Sequence, residues 1–541
     1  MTSAATAQAT DSPDLAAPHR RRGWTLFVTC AGVALVIASM VALNTAIGDI
    51  AVATSATQSQ LTWIVDGYTV VLACLLLPAG AIGDRYGRRR ALLVGLAVFA
   101  LASIAPIFLH RPEQIIVSRA LAGAGAAFVM PATLSLLTAV YPREERTKAV
   151  GIWAGVCGSG GVAGMLGSGA LLAFFPWQSI FVGLGAAGAL LFALTLTVST
   201  SRQPDAPPVD WPGATLIGAA VAVFVFGILK APRDGWDHPL VYGCMAGGAA
   251  LAVVFGFVEL SRSRPLLDMR LFRNPEFLTG AAAVTVVFGS NFGLVYVVMQ
   301  YMQQIVGYSP IRTALALAPL GVPIVTFSAL SSWYLPKLGL RVVMFWGLGL
   351  VAAGLWFFRG VHLGSSYVDL VWPLIVFATG TGFITAPMTS AIMRTVPDQK
   401  QGVASAVNDI TREVGGALFI AIAGSILASG YGSRLTPYLS AFPQPVRDSA
   451  SHSLAEALKI SQMMGPHGEQ LAQLSRSAFL EAMHWSMFAM AIIVAAAAVP
   501  ITLWAPGRNG QQLRPVRRMI HRFAPARSRP VDGAQRRITY R

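Results

Sequence analysis

The chain has 541 residues, 55% of them hydrophobic and only 12% charged, with a mean hydropathy of +0.60. A soluble domain carries about twice that share of charge, so an ordinary water-soluble fold is excluded and a bilayer becomes the expected solvent. The net charge of +16 would suit nucleic acid only if it were gathered on one face; here it is dealt out between apolar runs, and no nucleic-acid partner is expected.

Arg20–Arg22 stand before the first apolar run and imitate a signal peptide, but the many runs that follow make an uncleaved first span the expectation. A helix needs about 20 mostly apolar residues to cross the hydrocarbon. Fourteen runs qualify: 24–47, 61–82, 91–109, 114–139, 149–172, 178–198, 212–229, 239–260, 277–300, 313–333, 342–358, 370–391, 402–427 and 483–504. They are long, rich in Leu, Ala and Gly, and lack period-two alternation, which selects helices over strands. With the first span entering from the cytoplasm, 29 of the 40 Lys and Arg fall in cytoplasmic segments and 9 on the other side, leaving Arg119 and Arg412 inside spans. That bias places both termini in the cytoplasm. The four cysteines, Cys30, Cys74, Cys157 and Cys244, lie inside apolar runs without CxxC spacing, so neither a disulfide nor a metal site is expected.

Between the second and third runs stands "GAIGDRYGRRRALLVG", 80–95, with an Asp and four Arg amid apolar sequence. Gly80 and Gly83 allow neighbouring backbones to approach, Gly87 allows a tight turn, and Asp84 suits the partial positive charge at the N-terminus of another helix. Asp66 in the second run and Arg119 in the fourth each lie about 7–8 Å below the outer end at about 1.5 Å per residue, so a pair between them is expected. The fifth run is crowded with Gly151, Gly155, Gly158, Gly160, Gly161 and Gly164. Two runs, 212–229 and 239–260, separate two blocks of six. In the second block "PKLGLR", 336–341, superposes on "DRYGRR", 84–89, placing Lys337 on Arg85, Gly339 on Gly87 and Arg341 on Arg89. A duplicated transporter follows: a tail at 1–23, a six-helix bundle at 24–198, two inserted helices within 199–269, a second bundle at 270–504, and a basic tail at 505–541. Asp409, Arg412 and Glu413 form a charged group in the inner half of the thirteenth run, with Asp409 and Arg412 three residues apart, and are expected to brace the inner gate, proton handling being the alternative. The outward loop 428–482 has helix-like stretches, and the tail is expected to rest near anionic lipids.

The loop at Gly80, Asp84, Arg85, Gly87, Arg88 and Arg89 resembles the G-x-L-x-D-R-x-G-R-R pattern of the major facilitator superfamily, with Ile82 for the Leu. The stretches 58–90, 119–132, 291–310 and 406–427 are similar to its fourteen-helix drug:proton antiporter branch. The resemblance implies an all-α membrane fold of two pseudo-two-fold halves that exports compounds by alternating access. It implies a monomer in a bacterial plasma membrane, driven by the proton gradient, with no cofactor and no enzyme activity. Asp84 would latch onto the helix starting near Gly402. Arg119 matches the family's fourth-helix arginine, associated with proton coupling; Asp66 would carry the proton and Arg119 modulate it, a static ion pair being the alternative. Asn44, Trp63, Asn291, Tyr296, Gln300 and Tyr301 are the candidate substrate contacts, since an apolar cavity with few polar tips suits amphipathic or cationic molecules.

Departures accompany the likeness. The acid usual in the first helix is Ser39, five residues before Asn44, and the G-P-x-x-G-G signature of the fifth appears as "GMLGSG", with Met165 for Pro and Ser168 for Gly. Export of a lipid or a self-made antibiotic, and a receptor that no longer transports, stay open as alternatives. A membrane enzyme finds no support, because the ATP-binding G-x-x-x-x-G-K-[ST] and the metalloprotease HExxH are both absent.

Overall fold

A computed structural model describes residues 19–109, 111–199, 209–441 and 444–513. The first 18 residues and the tail from 514 onward, with the lipid-anchoring role expected of it, lie outside the described residues.

All fourteen expected runs form helices long and apolar enough to cross a membrane. In order they are Arg21–Thr45, Gln60–Tyr86, Arg88–Phe108, Pro112–Val140, Glu144–Phe174, Gln178–Thr195, Trp211–Ala231, Pro239–Ser261, Pro275–Ile305, Pro310–Leu338, Leu340–Gly360, Tyr367–Thr395, Asp398–Leu439 and Glu469–Trp504. Among the described residues there is no strand. Local chemistry sets the ends. The second span opens on a capping box, with Gln60 N–H donating to Thr57 Oγ1 at 3.3 Å and Thr57 N–H donating to Gln60 Oε1 at 2.8 Å. Pro112, Pro239, Pro275 and Pro310 open the fourth, eighth, ninth and tenth spans, where a missing N–H costs nothing. Gly87, at φ 109°, closes the second span, and Gly339, at φ 77°, closes the tenth. Both positions lie in the left-handed half of conformational space, which a side chain resists.

The two blocks pack alike. In the first, span 1 lies on span 5, span 2 on span 4, and span 3 on spans 4 and 6; in the second, span 9 lies on span 13, span 10 on span 12, and span 11 on spans 12 and 14. The short sequence echo has a structural counterpart. Arg89 donates to the carbonyls of Thr195 (3.2 Å) and Leu196 at the end of the sixth span, while Arg341 donates to Ala505 O (3.0 Å) at the end of the fourteenth. Each arginine ties its turn to the last helix of its own half. Asp84 has Pro336 as its counterpart, so only the first half carries an acid there.

The halves meet along two seams, span 2 against span 13 and span 5 against span 10. The second is built on glycine: a Cβ on Gly151 would stand 2.4 Å from the Ser328 carbonyl oxygen. The seventh span lies over the first seam, packing Val221, Val225 and Ile228 against Ala73 of span 2 and Ala417 and Ala421 of span 13. The expected loop 428–482 is largely helical: the thirteenth span runs on to Leu439, the fourteenth starts at Glu469, and the helices Gln444–His452 and Leu454–Met463 lie between. An even number of spans brings residues 21 and 504 to one face, called here the terminal face.

Candidate transport pathway and its gate

At the terminal face the two halves are locked together. Asp84, in the last turn of the second span, accepts from Gly402 N–H at 2.9 Å and Val403 N–H at 3.2 Å, the first free donors of the thirteenth helix. Those donors have no partner within their own helix, and the helix dipole adds partial positive charge, so a carboxylate satisfies both needs. Arg88 braces the same carboxylate, giving Nε and Nη2 to Asp84 Oδ1 at 3.2 Å, and also reaches Asp398 O at 2.7 Å in the other half. Arg146, opening the fifth span, adds an ion pair with Asp398 at 3.0 Å. Gly80 permits the approach, because a Cβ there would lie 2.5 Å from Gly402 O. Gly83 has a different part: its Cβ would make ordinary contact with Ala91 at 3.4 Å, so it admits no second backbone, and its carbonyl accepts the Gly87 N–H at 3.0 Å. Arg85 is half-buried on the same turn.

The expected pair of Asp66 and Arg119 is not made. Arg119 is 2% exposed and gives Nη1 to Ser39 Oγ at 3.0 Å, Nη2 to Ser39 O at 3.1 Å and Nε to Ile64 O at 3.2 Å, with its guanidinium 4.3 Å from the Tyr68 ring. Span 2 therefore shows residues 64 and 68 to span 4. At about 100° per residue, position 66 is turned to the opposite side. Asp66 shares that side with Trp63, which stacks on Phe226 of the seventh span at 5.8 Å. Asp66 is half-buried and has no hydrogen bond or ion pair among the described residues.

Between the halves lies a central cavity whose walls come from spans 1, 5, 9, 10 and 13, mostly apolar, with Met40, Met165, Phe288 and Phe292 among them. Of the six candidate substrate contacts, Asn291 alone lines it. Asn44 is exposed in the last turn of the first span, and Trp63 faces the seventh. Tyr296, 38% exposed, stands one turn beyond Phe292 with its ring beside Gly424 of the thirteenth span and is not among the lining residues, and Gln300 donates weakly to its carbonyl at 3.4 Å. Tyr301 is buried and donates its hydroxyl to His362 O at 3.2 Å. The pathway also contains what the sequence was expected to place at the inner gate. Arg412 lines the cavity, with Asp409 and Glu413 at its sides, about three turns along the helix from Gly402. The group touches the other half through Cys157 Sγ, which accepts from Arg412 Nη1 at 3.0 Å. The Asp84 contact lies at the terminal face, and this cluster lies deeper along the same helix.

Residues 29–420 match the family pattern of the Major Facilitator Superfamily. The chain belongs to that superfamily. Its relatives include the multidrug resistance protein Stp of Mycobacterium tuberculosis (strain CDC 1551 / Oshkosh), 30% identical over 443 residues that cover 81% of this chain and 82% of that protein. The tetracenomycin C resistance and export protein of Streptomyces glaucescens is 29% identical over 504 residues, covering 89% of this chain and 92% of that protein. Among solved structures, a bacterial homolog to the human lysosomal transporter Spinster, inward-facing and unoccupied, matches with a TM-score of 0.60 at 15% identity, covering 90% of this chain and 98% of that one. As a superfamily member with fourteen helices among the described residues long and apolar enough to cross a bilayer, the chain is a multi-pass membrane protein.

Within this major facilitator fold three further residues take part that the sequence reading named but gave no part in the site. Ser39, standing where the resemblance leads one to expect an acid, is the residue Arg119 grips. Met165, standing for the expected Pro, leaves the fifth helix continuous over Arg143–Phe174 and puts a thioether into the cavity wall. Cys157 reads in sequence as a small filler, and only the approach of the thirteenth helix gives its sulfur a partner. The signal that could have flagged it is its place in the glycine-rich helix at the seam.

Proposed function

We propose that this chain is a secondary active exporter of bulky amphipathic or cationic compounds, driven by the proton gradient and working by alternating access. It sits in a bacterial plasma membrane with both termini in the cytoplasm, so the terminal face is the cytoplasmic one. The observation that carries the reading is the Asp84 carboxylate seated across the halves on the Gly402 and Val403 N–H groups. Such a contact forms only when the cytoplasmic side is shut and must break when it opens, which is the requirement of a rocking carrier. Support for export comes from likeness to proteins named for multidrug resistance and for antibiotic resistance and export. A mostly apolar cavity with Asn291 and Arg412 as polar tips suits amphipathic ligands.

The test is movement of a fluorescent cationic dye into inverted vesicles with and without an imposed pH gradient. Gradient-dependent accumulation supports the exporter; dye that binds without accumulating would make the chain a receptor. A second reading, export of one antibiotic, is favoured by the likeness to the tetracenomycin C protein over 89% of this chain. It gains if a panel of unrelated dyes stays outside while a single antibiotic is moved.

A further inference from the structure

The thirteenth span brings two carboxylates to one guanidinium in a buried site. Asp409, Arg412 and Glu413 are each no more than 3% exposed. Arg412 gives Nε and Nη2 to a single oxygen of Glu413, at 3.1 and 2.9 Å, and turns Nη1 toward Asp409 Oδ1 at 3.4 Å. Asp409 Oδ2 has no hydrogen-bond partner, and neither has the side-chain oxygen of its neighbour Asn408.

The surroundings supply no second positive charge. The fifth span contributes the Cys157 thiol and the ninth the Phe288 ring, 5.7 Å from the guanidinium. From the second span Tyr68 faces the cluster, and beyond its ring stands Arg119 of the fourth, which is spent on Ser39 and Ile64. The seventh and fourteenth spans also pack on this helix, and among the described residues no charged side chain of theirs pairs with the cluster. One cation thus balances one carboxylate. A second carboxylate left ionised at this depth, with no cation of its own, would be strongly unfavourable. A proton removes that cost and supplies the donor that two unpartnered oxygens lack.

Elimination leads to the same place. The spans contain four buried acids among the described residues: Asp84, Glu259, Asp409 and Glu413. Asp84 is occupied by the latch. Glu259 accepts from Leu267 N–H at 3.0 Å at the end of the inserted pair, away from the central cavity. The first-span acid expected from the resemblance is Ser39, and Asp66 is turned toward the inserted helix.

We propose that the Asp409–Glu413 pair around Arg412 is the carrier of the coupling proton. This rests on the exporter reading. A proton from outside water enters by the central cavity, which Arg412 lines, and binds a carboxylate oxygen of the pair. Cys157 belongs to the other half, so rocking draws the thiol away from Arg412. The freed N–H then turns to the second carboxylate, and the proton leaves to cytoplasmic water. A cationic substrate in the same cavity takes over the neutralising charge, so that proton and substrate exclude each other.

The experiment is infrared difference spectroscopy of the purified full chain between acid and alkaline buffer, which reads the protonated-carboxyl band without any transport. The band of the wild type is expected to lose at least half its amplitude in Asp409→Asn or Glu413→Gln. It should move without shrinking in Asp409→Glu, which keeps a carboxyl and guards against loss of fold. In reconstituted vesicles the Asn and Gln variants should also lose at least tenfold in gradient-driven dye movement. A band unchanged by both substitutions, or removed by Asp66→Asn instead, overturns the proposal. Failure of the exporter reading looks different: wild-type vesicles move no dye under a gradient, whatever the band does.

Discussion

Replacing Gly80 with Ala changes no charge and tests the gate by geometry alone. The new Cβ would stand 2.5 Å from Gly402 O and 2.9 Å from the carbonyl carbon. A carbon–oxygen contact settles at about 3.3 Å or more, so spans 2 and 13 must part there by about 0.8 Å. Asp84 is one turn further on and holds Gly402 N–H at 2.9 Å; the same displacement takes that bond to about 3.7 Å, beyond useful range. Overpacking costs about 1–3 kcal/mol and the stretched charge-assisted bond adds to it, so about 2–3 kcal/mol is taken from the closed face alone. The equilibrium between closed and open faces then shifts roughly 30- to 150-fold. Hydrogen–deuterium exchange over residues 398–406 reads this directly, because the Gly402 and Val403 N–H groups are the ones released. Gly83→Ala, whose Cβ meets Ala91 at an ordinary 3.4 Å, should leave exchange in that segment near the wild-type rate. Equal protection in the Gly80→Ala variant and the wild type would refute the account of the gate.

Three further substitutions, at two positions, separate charge from shape. Asp84→Asn keeps the size of the side chain, strips the charge from the helix terminus and leaves Arg88 facing an amide. About 2 kcal/mol should go, visible as faster exchange of Gly402 and Val403 and at least a tenfold loss of dye export; unchanged values in both assays would remove the latch. At position 39 opposite signs are expected. Ser39→Ala strands an N–H of the buried Arg119 and should lower stability by about 1–3 kcal/mol, whereas Ser39→Asp gives that cation a carboxylate and should raise the midpoint of thermal unfolding in detergent. Shifts of the same sign in the two variants would show that Arg119 does not depend on this contact.

The spans were legible because crossing a bilayer demands long apolar runs, and nothing shorter satisfies the backbone. Their ends were less so. The thirteenth run was expected at 402–427, yet its helix extends over Asp398–Leu439, since polar residues past the hydrocarbon still pack: Tyr431 donates to Ala450 O at 3.0 Å, and Arg434 pairs with Glu481 at 3.1 Å. The gate was legible for a different reason. An acid flanked by glycines at the end of a span suits a close contact with a helix terminus, and it was the resemblance that pointed Asp84 to the helix starting near Gly402.

Depth along a helix can be counted from sequence, but direction around it cannot until a neighbour is known. Asp66 and Arg119 were correctly read as lying at similar depth, and the pair still fails, because Arg119 reads positions 64 and 68 and so assigns position 66 to the other side. The substrate candidates divide in the same way: Trp63 has suitable chemistry at suitable depth but faces the seventh span, while Asn291, on one stripe of the ninth helix with Phe288 and Phe292, lines the cavity. A second half-turn ambiguity hides in the thirteenth helix. Asp409 and Glu413 are four residues apart and share a face, so once Arg412 points into the cavity both acids must be drawn to its flanks. One known direction thus settles three residues, and the single contact that supplies it, Cys157 to Arg412, joins the two halves of the carrier at the point where a proton would have to be counted.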